Sequence, residues 1–141
     1  MKTILIVILI LMTAFSCQST ENAIEQNEAD ILSFPNLHEP KAPDTSDFVV
    51  QSVYIDNVEI VETEGVPKLL IQGNLPTPCC TLNKTEETIT NGYLHLTIMA
   101  WQAKGSICAQ VLQPFSYLHP LPESIASDPE HVYINDTLFE L

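Results

Sequence analysis

The stretch that decides the fold class is NGYLHLTIMAW, residues 91–101. Beyond the Asn91-Gly92 pair, apolar residues recur at every second position, and successive side chains of a β-strand point to opposite faces. Asn-Gly favours a tight hairpin turn, because both residues tolerate positive φ. We therefore predict a turn followed by a strand over residues 93–101, with four side chains on its core face: Leu94, Leu96, Ile98 and Ala100.

Further strand signals lie on both sides of this stretch. The apolar alternation of residues 53–60 changes parity at Asp56-Asn57, which predicts a β-bulge. Residues 48–141 show no convincing helical period, and short strands separated by turn residues are typical of sandwiches and barrels. We predict an all-β domain over residues 48–141, for which this pattern alone leaves a small antiparallel β-sandwich and a barrel both open. Its other predicted strands are 68–75, 107–113 (ended by Pro114), and a last hairpin of 131–134 and 138–141 that turns at Asn135-Asp136.

The N-terminus has the pattern of an export signal. Lys2 precedes the apolar run of residues 4–15, and Ser16 is a small residue before Cys17. The run is shorter than the roughly 20 residues that span a bilayer. We predict a signal peptide over residues 1–16. The alternatives are a signal cut elsewhere and an uncleaved anchor.

Residues 14–17, Ala-Phe-Ser-Cys, resemble the lipobox of bacterial lipoproteins. The resemblance implies cleavage before Cys17, attachment of lipid to that cysteine, and a membrane-anchored, extracytoplasmic protein of the bacterial cell envelope. The family prefers Leu where Ala14 stands and a small residue where Phe15 stands.

Residues 17–47 are predicted to be the lipidated cysteine and a flexible acidic tether. The segment is rich in acids, prolines and small polar residues, and such a composition buries too little apolar surface to offset the entropy of ordering. Four apolar residues interrupt it and suit a short docking segment: Ile31, Leu32, Phe34 and Leu37.

Charge excludes two classes of partner. The chain has 18 acidic and 5 basic residues, for a net charge of −13. Nucleic acid binding draws its affinity from Lys and Arg at phosphates, so we exclude that function. Docking on anionic lipid through a basic patch is disfavoured for the same reason.

Cysteine usage predicts one disulfide. With Cys17 lipidated, Cys79, Cys80 and Cys108 remain. An exported protein occupies a compartment in which disulfides persist. Adjacent cysteines rarely bond to each other, so Cys108 pairs with Cys79 or with Cys80, and one thiol is left free.

A second resemblance covers most of residues 66–141. The chain reads GNLPTPC at 73–79, CAQ at 108–110, PF at 114–115 and YINDTLFEL at 133–141. This pattern resembles small exported bacterial domains with G-x-L-P-x-P-C, C-x-Q, P-F and a closing V-N-G-x-F-x-L hairpin. The resemblance implies an immunoglobulin-like β-sandwich and a Cys79–Cys108 disulfide. Cys80 and Asp136, where glycine is expected, depart from the pattern.

The remaining motifs argue against metal binding and catalysis. Cys79 and Cys80 are contiguous, and His95 and Met99 lie about 13 Å apart on a strand, so one ion does not bridge them. We expect no metal, no cofactor and no enzymatic activity, because no nucleophile-and-base motif occurs. His119 is assigned to a loop between prolines.

The second face of the predicted strand over residues 93–101 is the candidate binding face: Tyr93, Thr97, Met99 and Trp101. Aromatic residues and methionine are enriched at interface centres. The alternative is that the chain itself covers this face. We expect a non-enzymatic binding or structural module with another envelope protein as partner. A different class, an inhibitor of an exported protease, would act through the Pro-flanked loop of residues 75–82, preorganised beside a disulfide.

Overall fold

The computed structural model describes residues 34–126 and 129–141. Within these ranges the chain forms strands β1 to β10 and one short helix, α1, between β8 and β9. None of the helices in the described ranges is both long and apolar enough to cross a membrane. The bounds are β1 Phe48–Ser52, β2 Tyr54–Thr63, β3 Val66–Leu75, β4 Thr81–Leu82, β5 Glu86–Thr90, β6 Tyr93–Thr97, β7 Met99–Ala103, β8 Gln113–Pro120, α1 Glu123–Ala126, β9 His131–Ile134 and β10 Thr137–Glu140.

The strands form three sheets, in the orders β2-β3-β8, β1-β7-β4 and β10-β9-β6-β5. Neighbouring strands are antiparallel except β6 and β9, which run parallel. The prediction of an all-β sandwich is therefore confirmed. The predicted signal peptide and Cys17 lie outside the described residues.

One apolar core lies between the sheets. The four side chains predicted from alternation, those of Leu94, Leu96, Ile98 and Ala100, are all buried in it. The other fully buried large side chains come from β3, β4, β8 and β9: Leu69, Ile71, Leu75, Leu82, Phe115, Val132 and Ile134.

The prediction of one continuous strand over residues 93–101 is wrong, because the chain leaves one sheet at Ile98 and joins another. Asn135, in the turn between β9 and β10, holds the backbone at this point. Its Nδ2 donates to the Ile98 carbonyl and its Oδ1 accepts from the Ile98 N–H, each at 2.8 Å. The backbone groups of Ile98 are thus occupied by a side chain at the junction of β6 and β7.

The predicted strand over residues 107–113 is also wrong, since β8 begins at Gln113 and Pro114 lies inside it, opposite Asn74. Ser116 donates its N–H to Asn36 and accepts from His38 with its carbonyl, so its backbone groups point away from β3. Pro114 precedes Ser116 by two positions on β8, so its backbone nitrogen also points away from β3. Its missing N–H therefore costs no hydrogen bond to β3.

The bulge and the turns agree with the sequence. The register of β2 against β3 shifts between Ile55 and Asn57, which confirms the bulge. A Cβ at Gly73 would overlap the Tyr54 carbonyl, so glycine is required where β3 passes this bulge. Asp136, which stands where the family pattern has glycine, adopts a φ of 64°.

Residues 34–47, assigned by sequence to the tether, contact the sandwich before the predicted boundary at residue 48. Asn36 and His38 pair with Ser116 along the outer edge of β8. The Lys41 N–H then donates to the Leu82 carbonyl of β4 at 2.8 Å. The segment therefore supplies hydrogen bonds to the edges of two sheets, and exposed edges are sites of unwanted strand pairing.

Candidate functional site

The structure divides the predicted binding face between two sheets. Tyr93 and Thr97 lie on β6, and both are exposed, with Tyr93 at 44%. Met99 and Trp101 lie on β7, where Met99 is half-buried and Trp101 is only 6% exposed. The four residues do not form one surface, because the break at Ile98 separates them.

The chain itself covers Trp101. The indole Nε1 donates to the Lys41 carbonyl at 2.7 Å. The Phe48 ring meets the indole edge to face, with ring centroids 6.4 Å apart. This is the alternative in which the chain itself covers the second face, and the residues that cover it are Lys41 and, from β1, Phe48.

Tyr93 instead belongs to a cluster that we call the aromatic face: Tyr93, His95, His131 and Tyr133. The rings of His95 and Tyr133 stack with centroids 4.6 Å apart and an interplanar angle of 3°. Tyr93 meets Tyr133 at 6.0 Å and His131 at 6.2 Å, both in T-shaped geometry. These are favourable arrangements of π systems, so the rings support one another in fixed orientations.

Strand register brings the four rings together. His95 of β6 lies beside Tyr133 of β9 in the parallel pair, and Leu138 of β10 lies opposite Tyr133. Paired residues share a sheet face, so Leu138, which is exposed, extends the aromatic face on one side. On the other side, β5 places Thr88 opposite His95. The face therefore has aromatic rings at its centre and a hydroxyl at its rim.

Sequence reasoning missed His131 and Tyr133 as members of this face. The signal was present, because Val132 and Ile134 are the core residues of β9 and their neighbours must point the other way. The sequence does not show which strand pairs with β9. A parallel pairing of β6 with β9 joins segments that no local pattern connects.

A cavity of about 140 Å³ opens at the Tyr93 end of the aromatic face. Its wall carries a carboxylate, since Glu130 Oε2 lies 3.8 Å from Nδ1 of His131. Among the described residues, that buried Nδ1 has no hydrogen-bond partner. The cavity therefore offers polar groups beside aromatic rings, and its lining consists of Gly92, Tyr93, Ser124, Ile125, Pro129, Glu130 and His131.

A buried polar chain links two sheets elsewhere in the domain. His119 is not in a loop, as the sequence had suggested, but is buried on β8. Its Nε2 lies 2.7 Å from Glu87 Oε2 of β5, and its Nδ1 lies 2.9 Å from the Tyr117 hydroxyl. Burial raises the pKa of Tyr117, the nearby Thr85 hydroxyl lowers it by less, and the negative charge of Glu87 adds the smallest effect, which raises it.

This hydroxyl, imidazole and carboxylate are arranged in the order of a catalytic triad, but the hydroxyl is that of Tyr117. It lies in the core and is hydrogen-bonded to His119. Since β8 and β5 belong to different sheets, the chain ties the two layers together at this point. Such a satisfied polar network specifies how the layers pack.

The disulfide is Cys79–Cys108, as the resemblance implied, with Cα atoms 6.0 Å apart. Cys80 is free and buried, and its Sγ lies 3.5 Å from Gln102 Oε1. The Thr77 hydroxyl donates to the same oxygen at 3.2 Å. In the described ranges no group of three or more His, Cys, Asp or Glu side chains is placed to hold a metal ion.

Comparison with known proteins returned one family. The sequence model of a family described as the ORF11 beta-sandwich domain matches residues 69–141. The matched range contains the aromatic face, the disulfide and the Glu87–His119–Tyr117 network. No curated protein and no solved structure gives a significant match.

Proposed function

The chain belongs to the ORF11 beta-sandwich domain family, and we propose that it is a non-enzymatic binding module of the bacterial cell envelope. In this proposal lipid on Cys17 holds it to a membrane, and the aromatic face binds another envelope protein. The observation that carries the proposal is the surface cluster of exposed Tyr93 with half-buried His95, His131 and Tyr133.

The composition of the aromatic face suits protein recognition. Tyrosine is enriched among the residues that dominate binding energy, because it buries a large area and keeps a polar tip. Here the rings stand on paired strands and contact each other, so little side-chain entropy remains to be lost on binding. Exposed Tyr93 and Leu138 supply apolar area, and Thr88 and Thr97 at the edge supply hydrogen-bonding groups.

The geometry of the histidines favours binding over catalysis. In the nucleophile-and-base arrangement, the base is oriented by a third group within hydrogen-bond reach. On the aromatic face, His131 Nδ1 and Glu130 Oε2 are 3.8 Å apart, beyond that reach. His119 stabilises the core, because its two ring nitrogens are hydrogen-bonded to Tyr117 and Glu87.

The anchor is tested by substituting its attachment residue. Cys17→Ser should abolish incorporation of labelled fatty acid and move the protein from the membrane fraction to the soluble fraction. Several acyl chains on one residue give stable anchoring, whereas one chain binds only marginally. If the variant fractionates with membranes as the native chain does, the lipid is not what holds it.

The aromatic face is tested by affinity capture from solubilised membranes, with the full lipidated chain as bait. The double variant Tyr93→Ser, Tyr133→Ser should lose the captured protein. The matched control is Tyr54→Ser on β2, since Tyr54 is 56% exposed but lies in a different sheet. Equal capture by both variants would place binding elsewhere on the molecule.

Protease inhibition through residues 75–82 is the alternative function. An inhibitor must present its loop to the cleft of the enzyme, but here Leu75, Thr77, Cys80 and Leu82 all point into the domain. Pro78 and Cys79 form the exposed tip. Capture of a protease that survives the Tyr93, Tyr133 double variant and is lost on Pro78→Ala would favour this alternative.

A further inference from the structure

Two segments at one end of the sandwich carry no formal charge of their own, although the chain as a whole is strongly acidic. The neighbouring charges there are paired, Lys41 with Asp44 and Lys104 with Asp47. Residues 75–83 and 105–113 contain no Asp, Glu, Lys or Arg, in a protein with a net charge of −13. The Cys79–Cys108 disulfide joins these two segments. We call them together the uncharged end.

The uncharged end also exposes aliphatic side chains. Ile107 is 100% exposed, and Val111 and Leu112 are each 56% exposed. They lie within six residues of one another on a segment that the disulfide pins at Cys108. Contiguous exposed apolar residues on a domain surface mark sites that contact another apolar phase.

We propose that the uncharged end rests in the lipid surface to which the chain is anchored, with Ile107, Val111 and Leu112 entering the boundary between headgroups and acyl chains. This inference rests on the proposed lipid attachment at Cys17. The absence of charge fits a lipid surface, because aliphatic side chains enter the interface readily while carboxylates lose hydration there.

The length of the chain before the described residues limits how far the domain can stand from the bilayer. From Cys17 to Phe34 even a fully extended chain spans only about 60 Å. The chain then docks along β8 at Ser116. Leu112 precedes that residue by four positions, about 13 Å along an extended chain. The uncharged end is therefore within easy reach of the surface that carries the anchor.

The carboxylates around the aromatic face disfavour an orientation in which that face, and not the uncharged end, meets the membrane. The edge strand β5 of the four-stranded sheet carries Glu86 opposite Thr97, and Glu130 and Glu140 flank the aromatic face. These carboxylates would be desolvated, or repelled by anionic headgroups, if that side met the membrane. With the uncharged end in the lipid, the aromatic face remains free for a protein partner.

The test places a fluorescent reporter at the uncharged end. Full lipidated chain with Ile107→Trp is reconstituted into phosphatidylcholine vesicles whose acyl chains carry a nitroxide quencher. The native Trp101 is buried and gives the same background in every variant. The matched control is Ile89→Trp on β5, since Ile89 is 46% exposed and lies in the four-stranded sheet.

We expect the emission added by Ile107→Trp to shift to shorter wavelength and to lose most of its intensity to the quencher, while Ile89→Trp keeps its intensity. Val111→Ser with Leu112→Ser, added to the Ile107→Trp chain, should restore much of that intensity. Equal emission with and without quencher at position 107, in chain that is stably incorporated, would overturn the inference.

If a protein and not lipid covers the uncharged end, the fluorescence result is different. In that case position 107 shifts to shorter wavelength in native membranes but stays unquenched in pure lipid vesicles, and the lipid assignment is wrong. Failure of the underlying anchor is distinguishable, because the native chain would then not incorporate into vesicles and Cys17→Ser would not change its fractionation.

Discussion

Asn135 should contribute more to stability than its half-exposed position suggests. Its side chain bonds both the N–H and the C=O of Ile98, at 2.8 Å each, and Ile98 is fully buried. Leaving a buried polar group unsatisfied costs about 1–3 kcal/mol, and Asn135→Ala leaves two. Asn135 also has a φ of 49°, in the left-handed region, where alanine costs about 1–2 kcal/mol more than glycine. We expect Asn135→Ala to lower the unfolding free energy by at least about 3 kcal/mol, the sum of the lower values of these terms.

Urea unfolding of the purified chain measures this loss, and two further variants separate its causes. Asn135→Gly removes the hydrogen bonds without the backbone strain, so it should cost about 1–2 kcal/mol less than the alanine variant. Asp136→Gly is the matched control, because Asp136 is exposed and its φ of 64° suits glycine. That change should be near neutral. If Asn135→Ala changes the unfolding free energy by less than about 0.5 kcal/mol, as an ordinary surface substitution does, the two hydrogen bonds to Ile98 do not hold the two sheets.

Three more predictions concern the stability of the domain. Trp101→Ala should cost about 3–5 kcal/mol by urea unfolding, as loss of a buried aromatic does, and a change below about 1 kcal/mol would mean that the indole is not covered. Replacing Cys79 and Cys108 together by Ser should cost about 3.5 kcal/mol from loop entropy at a sequence separation of 29; an unchanged urea midpoint would contradict this. The pKa of Tyr117 is raised above 10.0 by burial, so the unfolding free energy should fall as the pH rises through that value. Tyr117→Phe should flatten this fall, whereas an equally steep fall in the variant would point to another group.

Alternation in the sequence predicted the core correctly, because burial selects side chains of one parity whatever sheet they join. Leu94, Leu96, Ile98 and Ala100 are buried although the chain changes sheets in the middle of them. For the same reason alternation could not reveal the break. At the break, the side chain of Asn135, 37 positions away, bonds the backbone of Ile98, and the parity of β6 and β7 stays unchanged.

The candidate site was predicted only in part. Tyr93 and Thr97 are exposed as expected, but Trp101 is not, because residues 41 and 48 cover it. His131 and Tyr133 entered the site through the parallel pairing of β6 and β9, which depends on the whole topology. The sequence predicts that Pro114 ends a strand. It lies inside β8, where the missing N–H faces away from β3.

We propose that the aromatic face is where the protein meets its partner, and site-specific photo-crosslinking in living cells tests this proposal. A photoreactive phenylalanine analogue replaces Tyr93 in one chain and Tyr54 in another, two exposed tyrosines in different sheets. We predict one discrete crosslinked protein adduct in the membrane fraction from position 93 and none from position 54. The absence of an adduct at position 93, or equal adducts from both positions, would contradict the account.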